Sequence, residues 1–390
     1  MIQDLLRIIS FPAIAPQNGG KGEWEKAREL EKLLLERGLP QPEWYVPEDP
    51  TDGGVRRPNL VVRIPGRTDR KLYIVTHMDV VPEGDLSAWD MDPFRGKVMG
   101  ERIYGRGVND NGQELIASIY AVMALQALGI RPSLEICLCF VADEETGSTY
   151  GIQHLIERGL FSPEDLVIVP DGGNSRGDFV EIAEKGILWI SFTVKGQQCH
   201  ASMPHMGLNA CRVANQLSFE LDRALHKAFP DEDDLFDPPV STMEPTRRKT
   251  NVGSINIIPG KEEFSFDCRV LPSISLDTVL EVVEEKCREV AHLTKADITY
   301  EILQRNDPAQ PTRKDSDVLG LLCRSIEETY SFSPEVGGIG GGTCAAFFRK
   351  SGIPAVVWAH EADVAHMPNE YCEMEHLLKE AEVFAAMMKG

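Results

Sequence analysis

The stretch Leu72-Tyr73-Ile74-Val75-Thr76-His77-Met78-Asp79 decides the fold, because an apolar run ends in two side chains that are typical of metal sites. The run is short, rich in β-branched and aromatic residues and followed by Pro82-Glu83-Gly84, so it predicts a buried β-strand. Residues i and i+2 of an extended chain point the same way. The carboxylate of Asp79 can therefore bind one imidazole nitrogen of His77 and leave the other nitrogen for a metal ion.

Composition limits the class of protein that surrounds this strand. A chain of 390 residues exceeds one ordinary hydrophobic core and predicts two domains. With 42% hydrophobic and 26% charged residues it is typical of a globular protein, and its net charge of -21 would repel nucleic acid. The apolar runs are too short to span a bilayer and Met1-Ile2-Gln3-Asp4 lacks the basic start of a signal peptide, so we expect a cytoplasmic protein that binds no membrane. Nine scattered cysteines without a Cys-x-x-Cys pair indicate reduced thiols.

Acids or a histidine follow several predicted strands and turns of an alternating α/β pattern. Asp110 lies in the turn 105–112, and Glu144 and Glu145 follow the predicted strand 134–141. Asp171 follows the predicted strand 166–169, and His366 follows the predicted strand 355–358. Asp110 precedes a predicted helix over 115–128, where it could cap the helix or bind a metal. Because the carboxyl ends of strands in such a sheet meet at one edge, we expect the site at that edge.

Residues 186–305 carry a different pattern, β-α-β-β-α-β, which is the order of a ferredoxin-like sandwich. The predicted elements are strand 187–194, helix 207–225, strands 251–258 and 263–270, helix 276–290 and strand 297–303. The predicted fold class is therefore α/β. It comprises a discontinuous catalytic domain over 1–185 and 306–390, with a mixed sheet flanked by helices, and an inserted lid or dimerisation domain over 186–305.

The acids and histidines at the strand ends could hold two metal ions. Two divalent cations about 3.5 to 4 Å apart need one bridging carboxylate and further ligands on each side. The sequence supplies His77, Asp110, Glu145, Asp171 and His366. Two imidazoles and three carboxylates suit zinc, and the same set would accept cobalt or manganese. Glu144 is left beside a ligand, where its carboxylate is well placed to take a proton from water.

The order of these motifs resembles a known enzyme family. The motifs are His77-x-Asp79, Gly107-x-x-Asp110, Glu144-Glu145, Asp171 and His366. They resemble, over essentially the whole chain, the di-zinc amidohydrolase and peptidase family of acetylornithine deacetylase, succinyl-diaminopimelate desuccinylase, aminoacylase and glutamate carboxypeptidase. The resemblance implies that Asp110 bridges two metal ions, that His77 and Asp171 bind one of them, and that Glu145 and His366 bind the other. It also implies that Glu144 is the general base and that Asp79 orients His77. The peptide bond between Asp110 and Asn111 is expected to be cis.

The resemblance extends to the inserted domain and to substrate contacts. His200, in Cys199-His200-Ala201-Ser202, corresponds to a histidine that relatives send across a dimer interface to stabilise an oxyanion. We therefore expect a homodimer. Substrate contacts are implied for Asn256, Arg269, Gly342, Thr343 and Asn369. The guanidinium of Arg269 is suited to a substrate carboxylate.

The predicted function is metal-dependent cleavage of the amide bond in a small N-acyl amino acid with a free carboxylate, by a metal-bridging hydroxide with Glu144 as general base. Two departures from the family pattern leave the substrate open. Asp171 stands where deacylases commonly have glutamate and where dipeptidases usually have aspartate, and Cys344-Ala345-Ala346 follows Thr343 where many deacylases carry Asp and Arg. A dipeptidase or aminopeptidase is therefore the alternative, and a non-catalytic metal-binding protein is a further one.

Overall fold

The computed structural model of the chain describes residues 1–50, 53–249 and 251–390. The α-helices of these residues are α1 Ile2–Ile9, α2 Trp24–Glu36, α3 Gln113–Ala127, α4 Ile152–Glu157, α5 Ala210–Ala228, α6 Leu276–Thr294, α7 Asp317–Tyr330, α8 Ala345–Lys350 and α9 Met374–Lys389. The strands are β1 Glu43–Tyr45, β2 Glu48–Asp49, β3 Val55–Arg56, β4 Asn59–Ile64, β5 Lys71–His77, β6 Lys97–Met99, β7 Arg102–Tyr104, β8 Glu135–Val141, β9 Leu166–Asn174, β10 Phe179–Glu184, β11 Gly186–Lys195, β12 Cys199–His200, β13 Thr242–Arg248, β14 Ile257–Ile258, β15 Lys261–Val270, β16 Asp297–Asn306, β17 Glu335–Ile339, β18 Ala355–His360 and β19 Tyr371–Glu373.

The chain divides into two compact units. Unit 1 comprises Met1–Ile182, Thr312–Gly337 and Thr343–Gly390, and unit 2 comprises Ala183–Pro311 and Gly338–Gly342. The segment 338–342, which we predicted to belong to the catalytic domain, therefore groups with unit 2. The lid and dimerisation roles of unit 2 stay predictions.

Unit 1 is built on a mixed eight-stranded sheet with the order β1-β4-β8-β5-β9-β18-β10-β17. The central strands β8, β5, β9 and β18 are parallel, whereas the pairs β1–β4, β4–β8 and β10–β18 are antiparallel. Strand β5 is an almost continuous apolar run because both faces of the sheet are covered by helices. Tyr73 and Val75 pack on the side of α4 and α8, while α3 and α7 both contact α9 in the other helix layer. The α/β class with a mixed sheet flanked by helices is confirmed.

Unit 2 contains a four-stranded antiparallel sheet with the order β13-β15-β11-β16. Alternate residues of β11, including Leu188, Ile190 and Phe192, are buried with apolar residues of α5 and α6 in one core. This is the predicted β-α-β-β-α-β order. One strand was predicted in the wrong place, because residues 251–256 form no strand and the second strand of the four-stranded sheet, in chain order, is Thr242–Arg248.

Two further predictions about composition can be compared with the structure. All nine cysteines are free thiols. Among the helices of the described residues, none combines the length and the apolar character needed to cross a membrane.

Candidate metal centre

The residues predicted to bind metal, at or after the ends of the central strands, lie close together within unit 1. His77 ends β5, and its Nε2 lies 2.8 Å from Oδ1 of Asp110 and 3.3 Å from Oδ1 of Asp171. Nε2 of His366 lies 3.0 Å from the other oxygen of Asp110 and 3.1 Å from Oε2 of Glu145. Asp110 thus presents one carboxylate oxygen to each histidine. This is the arrangement expected of a bridging ligand rather than of a helix cap, and α3 is instead preceded by Gly112.

The turn that carries Asp110 is irregular. Asp110 and Asn111 have non-helical backbone angles, and the peptide bond between them is cis, as predicted. Glu370 holds the turn from the other side, since its Oε1 accepts hydrogen bonds from the backbone N–H groups of Gly107, Asn109 and Asp110 at 3.0 to 3.2 Å. The backbone of the turn is therefore fixed by a side chain that lies some 260 residues along the chain.

The loop after β8 carries Glu144 and Glu145. The carboxylate of Asp79 accepts the backbone N–H of Glu144 at 3.1 Å and that of Glu145 at 3.0 Å. Asp79 also orients His77, but its backbone carbonyl lies nearer to Nδ1 (3.0 Å) than its carboxylate does (3.6 Å). We predicted that the Asp79 carboxylate would orient His77. In the structure the backbone carbonyl takes that position and the carboxylate mainly anchors the acidic loop.

Six side chains form two groups that could each hold a metal ion. His77, Glu144 and Asp171 make one group, and Asp110, Glu145 and His366 make the other, with ligand atoms within 4.8 Å of one another in each group. The five predicted ligands are thus brought together. Glu144, predicted as the base, lies close enough to His77 and Asp171 to be counted among the possible ligands.

The electrostatics of the centre favour bound positive charge. Burial and the charge of Asp171 raise the pKa of Glu144 well above its usual value, and burial and the charge of Asp110 raise the pKa of Glu145 to about 7. Hydrogen bonds to Asp110 and Glu145 raise the pKa of His366 to about 10. Burial acts to lower the pKa of His77, but the neighbouring carboxylates outweigh it and raise that pKa. The acids that share this space therefore attract protons or other cations.

A buried ionic network supports the acidic loop from behind. Arg57 is fully buried and binds Glu23 at 2.6 Å. A second Arg57 contact reaches Asp143 at 3.3 Å, so the first acid of the Asp143-Glu144-Glu145 run is balanced by arginine rather than by a metal. Lys26 is buried as well and donates from Nζ to the carbonyl of Met78 at 2.8 Å, between His77 and Asp79.

His200 and Asn256 are brought together within unit 2. The short strands β12 and β14 pair His200 with Ile257, and the N–H of Ala201 donates to the carbonyl of Asn256 at 2.9 Å. The His200 side chain is exposed, and its Nδ1 accepts the backbone N–H of Ser202 at 3.2 Å and lies 2.7 Å from Oγ of the same residue. In the tautomer in which Nδ1 accepts from both groups, Nε2 carries the proton of the neutral ring.

The other predicted substrate residues already have protein partners. The Arg269 guanidinium binds both carboxylate oxygens of Asp267 at 2.7 and 3.0 Å and the carbonyl of Gly340 at 2.9 Å. Asn369 accepts the N–H of Asp90 at 2.9 Å and donates to the carbonyl of Ala88 at 3.2 Å. Thr343 Oγ1 accepts the N–H of Ala345, and a Cβ at Gly342 would approach Ile187 and Glu184. Three of the five N–H groups of Arg269 are used in these contacts, and the Asn369 amide is engaged by its loop at both ends.

Several side chains that build the centre were missed by the sequence analysis: Glu23, Lys26, Arg57, Asn111 and Glu370. They carry no local signal, since each acts through contacts that are distant in the sequence.

The fold and the site together define an α/β metallohydrolase with a candidate two-metal centre at the carboxyl edge of a mixed sheet. The family model "Peptidase family M20/M25/M40" matches residues 73–390, and the chain belongs to this family. It is 40% identical to an uncharacterized metallohydrolase of Methanocaldococcus jannaschii, over 99% of this chain and 97% of the relative.

Solved structures show the same fold at low sequence identity. An M20 family metallo-carboxypeptidase from Sulfolobus solfataricus superposes with a TM-score of 0.79 at 20% identity, covering 99% of this chain and 98% of the other. Human carnosine dipeptidase 1 superposes with a TM-score of 0.77 at 16% identity, covering 99% and 94%. These likenesses concern the fold, which is shared across the whole length of the chain.

Proposed function

We propose that the protein hydrolyses the amide bond of a small N-acyl amino acid that bears a free carboxylate. The observation that supports this most directly is Asp110, whose two carboxylate oxygens face His77 and His366, 2.8 and 3.0 Å away. A carboxylate between two ligand groups is the core of a two-metal site that clamps a reacting carbonyl. Membership of a metallohydrolase family agrees with this chemistry.

The residues present fit a pair of divalent cations. Three carboxylates and two imidazoles are the donors that zinc accepts, and cobalt or manganese would be accepted as well. Burial raises the pKa values of Glu144, Glu145 and Asp171, so these acids hold protons more readily than exposed acids do. Metal binding displaces such protons. We assign His77 and Asp171 to one ion, Glu145 and His366 to the other, and Asp110 to both.

The chain's own residues would handle the proton and the developing charge. When bound, the two cations would polarise the scissile carbonyl and make water nucleophilic. The Glu144 carboxylate takes a proton from the attacking water and passes it to the leaving nitrogen, a task suited to an acid whose pKa is raised. The Nε2–H of His200 donates to the oxyanion, in our proposal from the partner subunit of a homodimer.

Asp171 favours a second candidate, a dipeptidase or aminopeptidase activity. The aspartate at this position is the variant that the family's dipeptidases usually have. One structure with the same fold is that of a dipeptidase. In this case the substrate would carry a free α-amine in place of an acyl group.

The experiment that tests the proposal compares substrates on the zinc-loaded protein. Hydrolysis is measured for N-acetyl and N-succinyl amino acids against unblocked dipeptides, with Glu144→Ala as the control. Faster turnover of the blocked acids supports the deacylase, and faster turnover of the dipeptides supports the alternative. Failure of a metal-loaded protein to hydrolyse any substrate of either class would contradict both and favour a non-catalytic metal-binding protein.

The Glu144→Ala variant also shows whether Glu144 acts as a general base or as a metal ligand. We expect the variant to bind two equivalents of zinc with nearly unchanged affinity, while kcat falls by about two to four orders of magnitude, the typical worth of a general base. Zinc stoichiometry by isothermal titration and turnover by ninhydrin detection of the released amine check the two expectations. Loss of one zinc would make Glu144 a ligand, and wild-type turnover would remove it from the mechanism.

A further inference from the structure

The strands that carry His77 and Asp171 stop pairing before they reach the metal centre. Within the described residues, β5 and β9 pair from Leu72–Leu166 to Ile74–Ile168. His77 lies three residues beyond the end of this pairing. Pro170, just before Asp171, has no N–H to continue a ladder. Something other than the strand ladder must therefore set the spacing of these two predicted ligands.

The side chain of Asn111 occupies this gap. Its Oδ1 accepts the backbone N–H of His77 at 3.2 Å, and its Nδ2 donates to the carbonyl of Pro170 at 2.6 Å. Nδ2 also lies 3.5 Å from Oδ1 of Asp171. The side chain is buried, with 2% of the residue exposed. A carboxamide has the same donor and acceptor as a peptide group, so Asn111 continues the ladder between β5 and β9 where their backbones have separated.

The two contacts also determine how the carboxamide is oriented. A backbone N–H must face its oxygen, and a backbone carbonyl must face its nitrogen. Aspartate cannot satisfy the second contact because it has no N–H to donate at neutral pH. Asparagine has both the acceptor for the His77 N–H and the donor for the Pro170 carbonyl, so it satisfies both contacts.

We propose that Asn111 is a positioning residue that fixes the separation of His77 and Asp171 and so determines the affinity of the metal ion that these two residues bind. The inference rests on the metal centre of the proposed function. It adds a residue that touches neither substrate nor metal, and that acts by joining the ends of two ligand-bearing strands.

Two variants test the inference in the absence of substrate. Asn111→Asp keeps the acceptor for His77 N–H but turns an oxygen toward Pro170 O. Asn111→Ala removes both contacts without adding charge. Loss of a residue that orients a metal ligand typically weakens binding 10- to 100-fold, so in a Co²⁺ titration we expect about this loss for one of two ions. The visible d–d absorption of that ion should shift, because its ligand geometry changes.

Asn109 provides a matched control on the other side of Asp110. It is equally buried, and its carboxamide also makes a donor and an acceptor contact with backbone, to the carbonyl of Ala362 at 3.2 Å and to its N–H at 3.3 Å. Asn109→Ala should therefore cost a similar amount of thermal stability in the metal-free protein. It should leave the affinity and the absorption of both Co²⁺ ions within about threefold of the wild-type values, well inside the change expected for Asn111.

The outcomes distinguish a failure of the positioning role of Asn111 from a failure of the proposed function. If Asn111→Ala binds both Co²⁺ ions like the wild type, or if Asn109→Ala loses as much affinity, the positioning role is overturned. A wild-type protein that binds no second Co²⁺ ion would instead contradict the two-metal centre itself. Neither result depends on finding a substrate.

Discussion

Glu370 shows how a single buried residue organises the metal centre. One of its oxygens accepts three backbone N–H groups of the Asp110 turn, and the other accepts Nη1 of Arg106 at 2.6 Å. Both side chains of this ion pair are almost completely buried. A buried carboxylate with four donors around it cannot be replaced without leaving some of them unpaired.

Glu370→Gln is therefore expected to destabilise the protein strongly. Removing one charge of a buried ion pair costs about 3–5 kcal/mol, because the remaining Arg106 charge stays buried without a counter-charge. Urea unfolding at pH 7 measures the loss. The neighbouring pair Arg102–Glu373 is partly exposed, so Glu373→Gln should cost less than about 1 kcal/mol. Equal losses for the two variants would show that burial of Glu370 is not what makes it important.

The candidate metal ligands were easier to predict than the residues that hold them in place. His77, Asp110, Glu145, Asp171 and His366 each follow a strand or a glycine-rich turn, and the edge of an α/β sheet is a general location for sites. Glu370 and Asn111 are polar residues without such a context. Their importance comes from contacts with chain segments that the local pattern does not identify.

At the scale of elements, strand β13 shows why one prediction was wrong. Ile255, Ile257 and Ile258 suggested a strand over 251–258, yet Ile255 is fully exposed and only Ile257–Ile258 form a strand there. The true strand, Thr242–Arg248, contains Pro245 and several charged residues. It lies at the edge of its sheet, where a missing N–H and a polar face are tolerated. Apolar composition predicts central strands well and edge strands poorly.

Helices α3 and α9 meet at two buried acids. Glu114 accepts Nε2 of Gln113 at 3.0 Å, and Glu380 accepts the N–H of His360 at 2.8 Å. Both acids are fully buried, and the second oxygen of each has no hydrogen-bond partner among the described residues. Burial raises the pKa of Glu380 to about 8, while burial and the charges of Glu380 and Glu361 raise that of Glu114. Burial and the charges of Glu114 and Glu380 also raise the pKa of Cys372.

This pair should make the stability of the fold fall as the pH rises from about 5 to about 8. A carboxyl whose pKa is raised from about 4.5 to about 8 on folding stabilises the protein below the lower value, and this contribution is lost as the pH rises through the higher one. Glu380→Gln keeps an oxygen for His360 N–H and cannot ionise. We expect urea midpoints between pH 5 and 9 to fall less for this variant than for the wild type.

Glu375, exposed on the same helix, provides the control for that titration. Glu375→Gln should follow the wild-type curve across the whole range, since this side chain is exposed and lies outside the buried pair. If Glu380→Gln loses stability with pH as steeply as the wild type, the loss between pH 5 and 8 arises elsewhere in the molecule.

At the scale of the whole molecule, the proposed catalytic groups are divided between two units. The candidate ligands and Glu144 lie in unit 1, whereas His200 lies in unit 2. The proposed oxyanion donor and the proposed base therefore belong to different units. The resemblance to the family implies a homodimer in which each site takes its oxyanion donor from the partner.

Mixing two inactive variants tests this arrangement. Glu144→Ala lacks the base and His200→Ala lacks the donor, so each homodimer should be nearly inactive. When the two variants are co-expressed, half of the dimers contain one Glu144→Ala chain and one His200→Ala chain. One site of such a dimer then combines an intact Glu144 with an intact His200 of the partner subunit. Activity should therefore recover to about a quarter of the wild-type value, as random pairing in a symmetric dimer requires.

The heterodimer must be isolated for this recovery to be informative. Two different affinity tags on the chains select it, and light scattering gives its mass. Activity of about half the wild-type value in the purified heterodimer would establish that one complete site has formed across the interface. An inactive heterodimer would place His200 in the site of its own chain, because each chain would then lack either the base or the donor. Wild-type turnover by the His200→Ala homodimer would instead place His200 outside the reaction.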